Sequence, residues 1–390
     1  MTIQSICFAL LTTAITATAF AQASPVNVTA NVVLPVDTVV KKQLLSSLND
    51  FLSQTGKPNR ENTGVLPSEL LETSVLLDEM KDLQKSNDFK DTNFYKPYLT
   101  NATQLSGGNF LIQLSWMGIY DSIPYLRAAF TLLTDKKGTR FYFHSPLKQN
   151  TVAWKIQKFG STNVYFKTTL DEANAKKYFK KVREYDKKLS APSQPSDLYC
   201  ADNFHEVLQL IGIDYKSDFN GYAHNTETTT ENNRHLNVNG ELTAAFATFD
   251  PHDLWHERLH NMLSTDIINR PVDEGTAYLY GGSWGISWQQ VLETFEAYAS
   301  ANPNADWLSL YNESINFSDK GKPPMKVDFV INALLVQKIE REKGFSSVIE
   351  LLSCGNKQKG NENYFTALQK ITGITRATFN GNVWKLIKAN

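Results

Sequence analysis

The residues best suited to chemistry fall in one stretch, "HDLWHERLHNML" at 252–263, where three of the chain's seven histidines occupy nine positions and Glu257 directly follows His256. Side chains four apart on a helix share a face about one turn apart. His256 and His260 have that spacing, so their imidazoles can converge on one cation. Glu257, turned by about 100° from His256, can flank the open side of that ion. The H-E-x-x-H pattern therefore offers two metal ligands and a general base. His252 has a place on roughly the same face, but helical rise sets it about 12 Å from His260, too far for all three to bind one ion. It reads as a neighbour and not as a ligand.

A tetrahedral site for catalysis needs a third protein ligand and leaves its fourth position for water. The next candidates lie in "NRPVDEGTAYLYGG", residues 269–282. Its Asn-Pro start and Gly-Gly stop predict a short helix with Asp273 and Glu274 near the N-terminal end. A loop of about ten residues is long enough to reverse the chain and set the two helices side by side. The expected ligands are thus His256, His260 and Glu274, and two imidazoles with one carboxylate suit Zn2+.

The elements that must hold this site follow from periodicity and turn chemistry. Asp250 and Pro251 suit the cap and first position of a helix running to about Leu263. Ahead of it, "HLNVNGELTAAFATF" carries an Asn-Gly hairpin signal at 239–240. Amphipathic helices are expected over Val39–Leu52 and Ser68–Leu83, followed from Gly108 by extended runs that end with "TVAWKIQKFG", an antiparallel meander. Such helices and meander resemble the nuclear-transport-factor-like α+β cone. "NVYFKTTL" reads as a strand. The next helix, "TLDEANAKKYFKKVREYDKKL", has a capping-box signal at Thr169 and Glu172. "DLYC" reads as a strand, "NFHEVLQLIG" as a helix closed by Gly212, and the polar stretch Asp214–Asn233 as a surface loop. The expected fold class is α+β, with a domain over 22–155 and a second over 156–390 holding a small sheet, the histidine helix and a helical C-terminal half.

His256, Glu257, His260 and the Glu274-Gly275 pair within "VDEGTAY" together resemble the gluzincin, thermolysin-like metallopeptidases. Those enzymes carry H-E-x-x-H on one helix and a glutamate, often followed by glycine, on the next. The tail, "VDFVINALLVQKIEREKGFSSVIELL" and "YFTALQKITGITRATFNGNVWKLI", is similar to the helical C-terminal half of small gluzincin domains, so the resemblance covers about 156–390. It implies peptide-bond hydrolysis with a zinc-activated water, Glu257 acting as base and then as acid. The chain departs from the pattern at Tyr278, where many relatives place an acidic residue that supports a metal-bound histidine; Asp250 or Asp253 could take over that support. The oxyanion donor is open among Tyr278, Tyr280, His252 and Tyr222. The alternative is a binding or scaffold protein that keeps the fold without turnover.

Composition bounds the rest. The chain has 390 residues, 42% hydrophobic, and a net charge of -1 from 39 basic and 40 acidic side chains, so no nucleic-acid or anionic-membrane partner is implied. The expected partner is a peptide or protein substrate. Residues 1–21 have no charged side chain, are apolar from Ile6 and end in Ala-Phe-Ala, which predicts a secretory signal peptide and export to the periplasm or exterior. No other stretch is apolar enough to span a bilayer. After cleavage Cys200 and Cys354 would remain, as one disulfide or as two separate thiols. The tryptophans of "GGSWGISW", 281–288, are expected in the core more than in a cleft.

Overall fold

The computed structural model describes residues 26–389 apart from 193, 222, 242–245 and 247. The expected signal segment and Tyr222 lie outside the described residues. The fold is α+β, with two mixed sheets. The chain forms two compact units: the first runs through Val152 and takes in 208–224 and 229–232, and the second comprises the remainder.

In the first unit, helix α1 (Thr38–Leu52) is capped by Asp37 and buries Leu44, Leu48 and Phe51, one stripe at helical spacing. Helix α2 (Leu70–Met80) follows a short 3-10 turn at Pro67–Glu69. The sheet runs β1 (Asn27–Val28), β2 (Lys96–Gln104), β3 (Phe110–Tyr120), β4 (Ile123–Lys137) and β5 (Arg140–His144). From β2 to β5 it is the expected antiparallel meander. Along β3, Phe110, Ile112, Leu114 and Trp116 point inward in strict alternation, as a strand with one covered face requires. A four-residue helix, α3 (Leu147–Asn150), closes this stretch.

The second sheet has the order β10-β11-β8-β7-β6. Its strands are β6 (Lys155–Phe159), β7 (Thr162–Phe166), β8 (Ser196–Cys200), β10 (Thr226–Glu231) and β11 (Arg234–Asn239). Several expectations are corrected here. "TVAWKIQKFG" does not extend the meander, because Gly160, at φ 63°, turns β6 back onto β7. The stretch 214–233 is not one loop: it contains β10, and β9 (Ile213–Lys216) pairs with β4 in the first unit. The turn before β11 is made by Asn232 and Asn233, both at positive φ, where asparagine is tolerated. The strand before Gly240 is β11, which pairs in parallel with β8, and the arm expected after Gly240 lies largely outside the described residues. Helix α4 (Glu172–Leu189) is capped by Asp171, whose carboxylate accepts from the Asn174 N–H, and not by Thr169. Helix α5 (Phe204–Ile211) follows β8 as expected.

The rest of the second unit is helical: α6 (Pro251–His260), α7 (Arg270–Gly281), α8 (Trp288–Ala301), α9 (Trp307–Asn312), α10 (Val327–Lys343), α11 (Phe345–Leu352), α12 (Glu362–Thr372) and α13 (Arg376–Lys388). Apolar residues surround α10 on every side, including Val330, Ile331, Leu334, Leu335 and Val336, so it is the central helix of this core. Its two buried polar side chains are satisfied: Asp328 accepts from Ser314, and Asn332 bonds to Tyr311 and Tyr364. Cys200 and Cys354 are separate free thiols, so no disulfide links them. Among the described residues no helix is long and apolar enough to cross a membrane.

Candidate metal centre

Helix α6 begins where sequence places it. Asp250 caps it through the His252 N–H, and Pro251 stands at its first position. It ends at His260, not Leu263, and reverses into α7, which packs against it with opposite direction. The register is fixed by buried contacts. Trp255 Nε1 donates to Thr276 Oγ1 at 2.8 Å, and Tyr185 donates to the carbonyls of Pro251 and Tyr280. At the far end Gly281 has no side chain because a Cβ there would lie 2.5 Å from the His252 nitrogen. Gly275 does the same against α10, where a Cβ would stand 2.6 Å from Asn332 Cβ.

This register brings five side chains together. His256 Nε2 lies 3.2 Å from His252 Nε2 and 3.8 Å from Glu274 Oε2, and His252 Nε2 is 3.6 Å from the same oxygen. On its other side His256 Nδ1 is 2.8 Å from Asp273 Oδ1, while His260 Nε2 is 2.8 Å from Asp273 Oδ2. Two overlapping groups able to hold an ion result: His252, His256 and Glu274, and His256, His260 and Asp273. The expected set of His256, His260 and Glu274 is not gathered as one of them.

Distances separate the two groups chemically. Ligands about 2.0–2.1 Å from a tetrahedral ion stand about 3.3 Å from each other. The first group has separations of 3.2, 3.6 and 3.8 Å. The second is already closed by two contacts of ordinary hydrogen-bond length. In the first group, moreover, each imidazole has its Nδ1 held by an acceptor: Asp273 for His256, and the Gly282 carbonyl at 2.8 Å for His252. That arrangement keeps Nε2 directed at a cation and raises its basicity. The residues present could hold a metal ion.

Without an ion the same groups form a charge cluster. Burial by itself would lower His256, but the hydrogen bonds and charge of Asp273 and Glu274 outweigh it and raise its pKa to about 9. His252 is raised as well, with burial opposed by Glu274 and the Gly282 carbonyl. Glu274 is held well below the usual carboxylate range, because the two histidines outweigh its burial. Glu257 moves upward: the protein around it displaces solvent although 52% of its side-chain surface is exposed, Arg258 opposes that rise, and Asp186 adds to it.

Sequence reading did not place Asp273 between two histidines, nor group His252 with His256 and Glu274. A signal for His252 was present, since 252 and 256 have the same i, i+4 spacing as 256 and 260. The distance from His252 to His260 excludes one ion bound by all three and says nothing against His252 acting with His256. The acid that holds His256 is Asp273, not Asp250, Asp253 or a residue at 278. Tyr278 is buried with its ring 5.7 Å from that of His252, and Tyr280 donates to Glu340 at 2.6 Å. Trp284, expected in the core, is 62% exposed on the turn after Gly282.

No protein-family model matches the chain, and no curated protein matches it in sequence.

Proposed function

We propose that this chain is an exported, zinc-dependent peptidase in which His252, His256 and Glu274 hold the metal and Glu257 is the general base. The observation that carries the metal assignment is the convergence of two Nε2 atoms and one carboxylate oxygen at separations suited to a tetrahedral ion, with both Nδ1 atoms already tied down. Assignment of peptides as substrate rests on the gluzincin resemblance.

A bound zinc ion supplies Lewis acidity, which polarises a carbonyl and makes water nucleophilic near neutral pH. The protein's own residues do the rest. Asp273 fixes the ring of His256 and, by bonding His260 too, braces the end of α6 against α7. Glu257 follows a ligand by about 100° of helical turn, takes the proton of the attacking water and passes it to the leaving amine. Asp253 stands at the same angle after His252, so the two acids share one stripe of α6.

Metal analysis of the purified chain tests the assignment, and Glu257→Gln beside Asp253→Asn tests the base. One zinc per chain, with turnover lost in Glu257→Gln and metal retained, is the expected result. Full turnover in Glu257→Gln removes the role given to Glu257, and loss in Asp253→Asn alone transfers it one turn earlier. A catalytically silent binding protein is the second reading, favoured by the engagement of Tyr280 with Glu340. It predicts metal without hydrolysis of any peptide.

A further inference from the structure

We propose that the cavity beside the metal group recognises a carboxylate of the substrate, with Arg270 as its anchor. This deepens the peptidase reading and rests on it. The cavity measures about 390 Å³, within the range of small-ligand sites, and opens against His256, Asp273 and Glu274. Among the described residues that line it, Arg270 is the only Lys or Arg.

Hydrogen-bonding capacity decides what this cavity can hold. Its carboxylates are engaged: both oxygens of Asp273 contact histidines, and Glu274 Oε2 faces His252 and His256. Its donors outside the histidines are not. Arg270 reaches Glu274 Oε1 only through Nε, at 3.6 Å, and its side chain is 80% exposed. Among the described residues it has no other ion pair or hydrogen bond, so the two terminal nitrogens are available. Thr265 and Asn356 line the same space, with Ile268 as apolar wall. Arg270 and Asp273 also belong to the first turn of α7, where the helix dipole favours negative charge. A planar guanidinium with both terminal nitrogens free matches a carboxylate in a way that a neutral amide cannot reproduce.

The carboxylate has two sources in a peptide, the free C-terminus or an Asp or Glu side chain near the scissile bond. Three otherwise identical peptides separate them: one with a free C-terminus, one amidated, and one amidated with glutamate at the penultimate position. Each is assayed with zinc-loaded full-length protein, as wild type, Arg270→Ala and Arg270→Lys, after zinc content is confirmed. A preference of about tenfold to a hundredfold in kcat/KM for a carboxylate-bearing peptide over the plain amide is expected, the range for a hydrogen-bonded charge. It should appear mainly in KM, vanish in Arg270→Ala and return in part in Arg270→Lys. Calorimetry on zinc-free protein gives a reading independent of turnover: an N-acetyl amino acid should bind and its amide should not, and Arg270→Ala should abolish the difference. Equal kcat/KM for all three wild-type peptides overturns the proposal. So does an equal fall for all three in Arg270→Ala, which would put Arg270 on the reacting carbonyl. If no peptide is cleaved while the acid still binds through Arg270, the peptidase reading fails and carboxylate recognition stands.

Discussion

Replacing Gly275 by alanine tests how the site helices are positioned. A Cβ at 275 would stand 2.6 Å from Asn332 Cβ, 2.9 Å from the Ala333 nitrogen and 2.9 Å from the Phe329 oxygen. Carbon atoms normally meet at about 3.5–4.0 Å, so the overlap is about 1 Å. Two of the three opposing atoms are backbone of α10, which cannot turn aside, so the cost falls at the upper end of overpacking, about 3 kcal/mol. Alanine is the better helix former by about 1 kcal/mol, leaving a net loss of about 2 kcal/mol. For a domain of this size class that lowers Tm by about 4–8 °C. Gly381, inside α13, supplies the control, because a Cβ there meets nothing within 4 Å. Gly381→Ala gains only the propensity, up to about 1 kcal/mol, and should raise Tm by about 2–4 °C. Scanning calorimetry in chelator measures both. If Gly275→Ala is as stable as wild type, close approach of α7 to α10 is not what holds Glu274 in place. Weaker zinc binding should accompany the loss, since Glu274 is the adjacent residue.

Other consequences are equally direct. Alanine at His256, His252 or Glu274 should abolish or greatly weaken zinc binding, whereas His260→Ala should retain it; retention in His252→Ala with loss in His260→Ala would restore the H-E-x-x-H ligand pair. Asp273→Asn removes the carboxylate that orients His256 and should cost about tenfold to a hundredfold in metal affinity, measured by competition with a chelating dye. Thr276→Val leaves Trp255 Nε1 buried without an acceptor and should cost about 1–3 kcal/mol in urea unfolding. With the pKa of His256 raised from 6.5 to about 9, the metal-free protein gains stability that is complete below pH 6.5 and lost as pH rises through 9. The same proton must leave before zinc binds, so zinc affinity should climb about tenfold per pH unit toward pH 9. A flat affinity profile over that interval would remove the protonated His256 from the metal-free state.

Much of this was legible before any coordinates. Periodicity and caps located α1, α6 and α7 within a few residues, because Asp250-Pro251 and Asn269-Arg270-Pro271 are local signals read by local geometry. The extended runs from Gly108 located the strands of the meander for the same reason. Local signals failed where pairing is non-local. Nothing in "TVAWKIQKFG" says that it joins the second sheet, and nothing in 213–216 says that it pairs with β4, since a strand's partner is chosen by the chain as a whole.

The site divides along the same line. Sequence alone determined that histidines and acids would lie on two successive helices with a reversal between them, and that His256 and Glu274 belonged together. Which nitrogen meets which oxygen was decided by the register of α6 on α7, set by Gly281 under His252 and by Trp255 on Thr276. A one-turn difference in that register is invisible in a motif, because His252–His256 and His256–His260 have identical spacing. Packing breaks the tie: it sets His252 beside Glu274 and the Gly282 carbonyl, and gives His260 to Asp273.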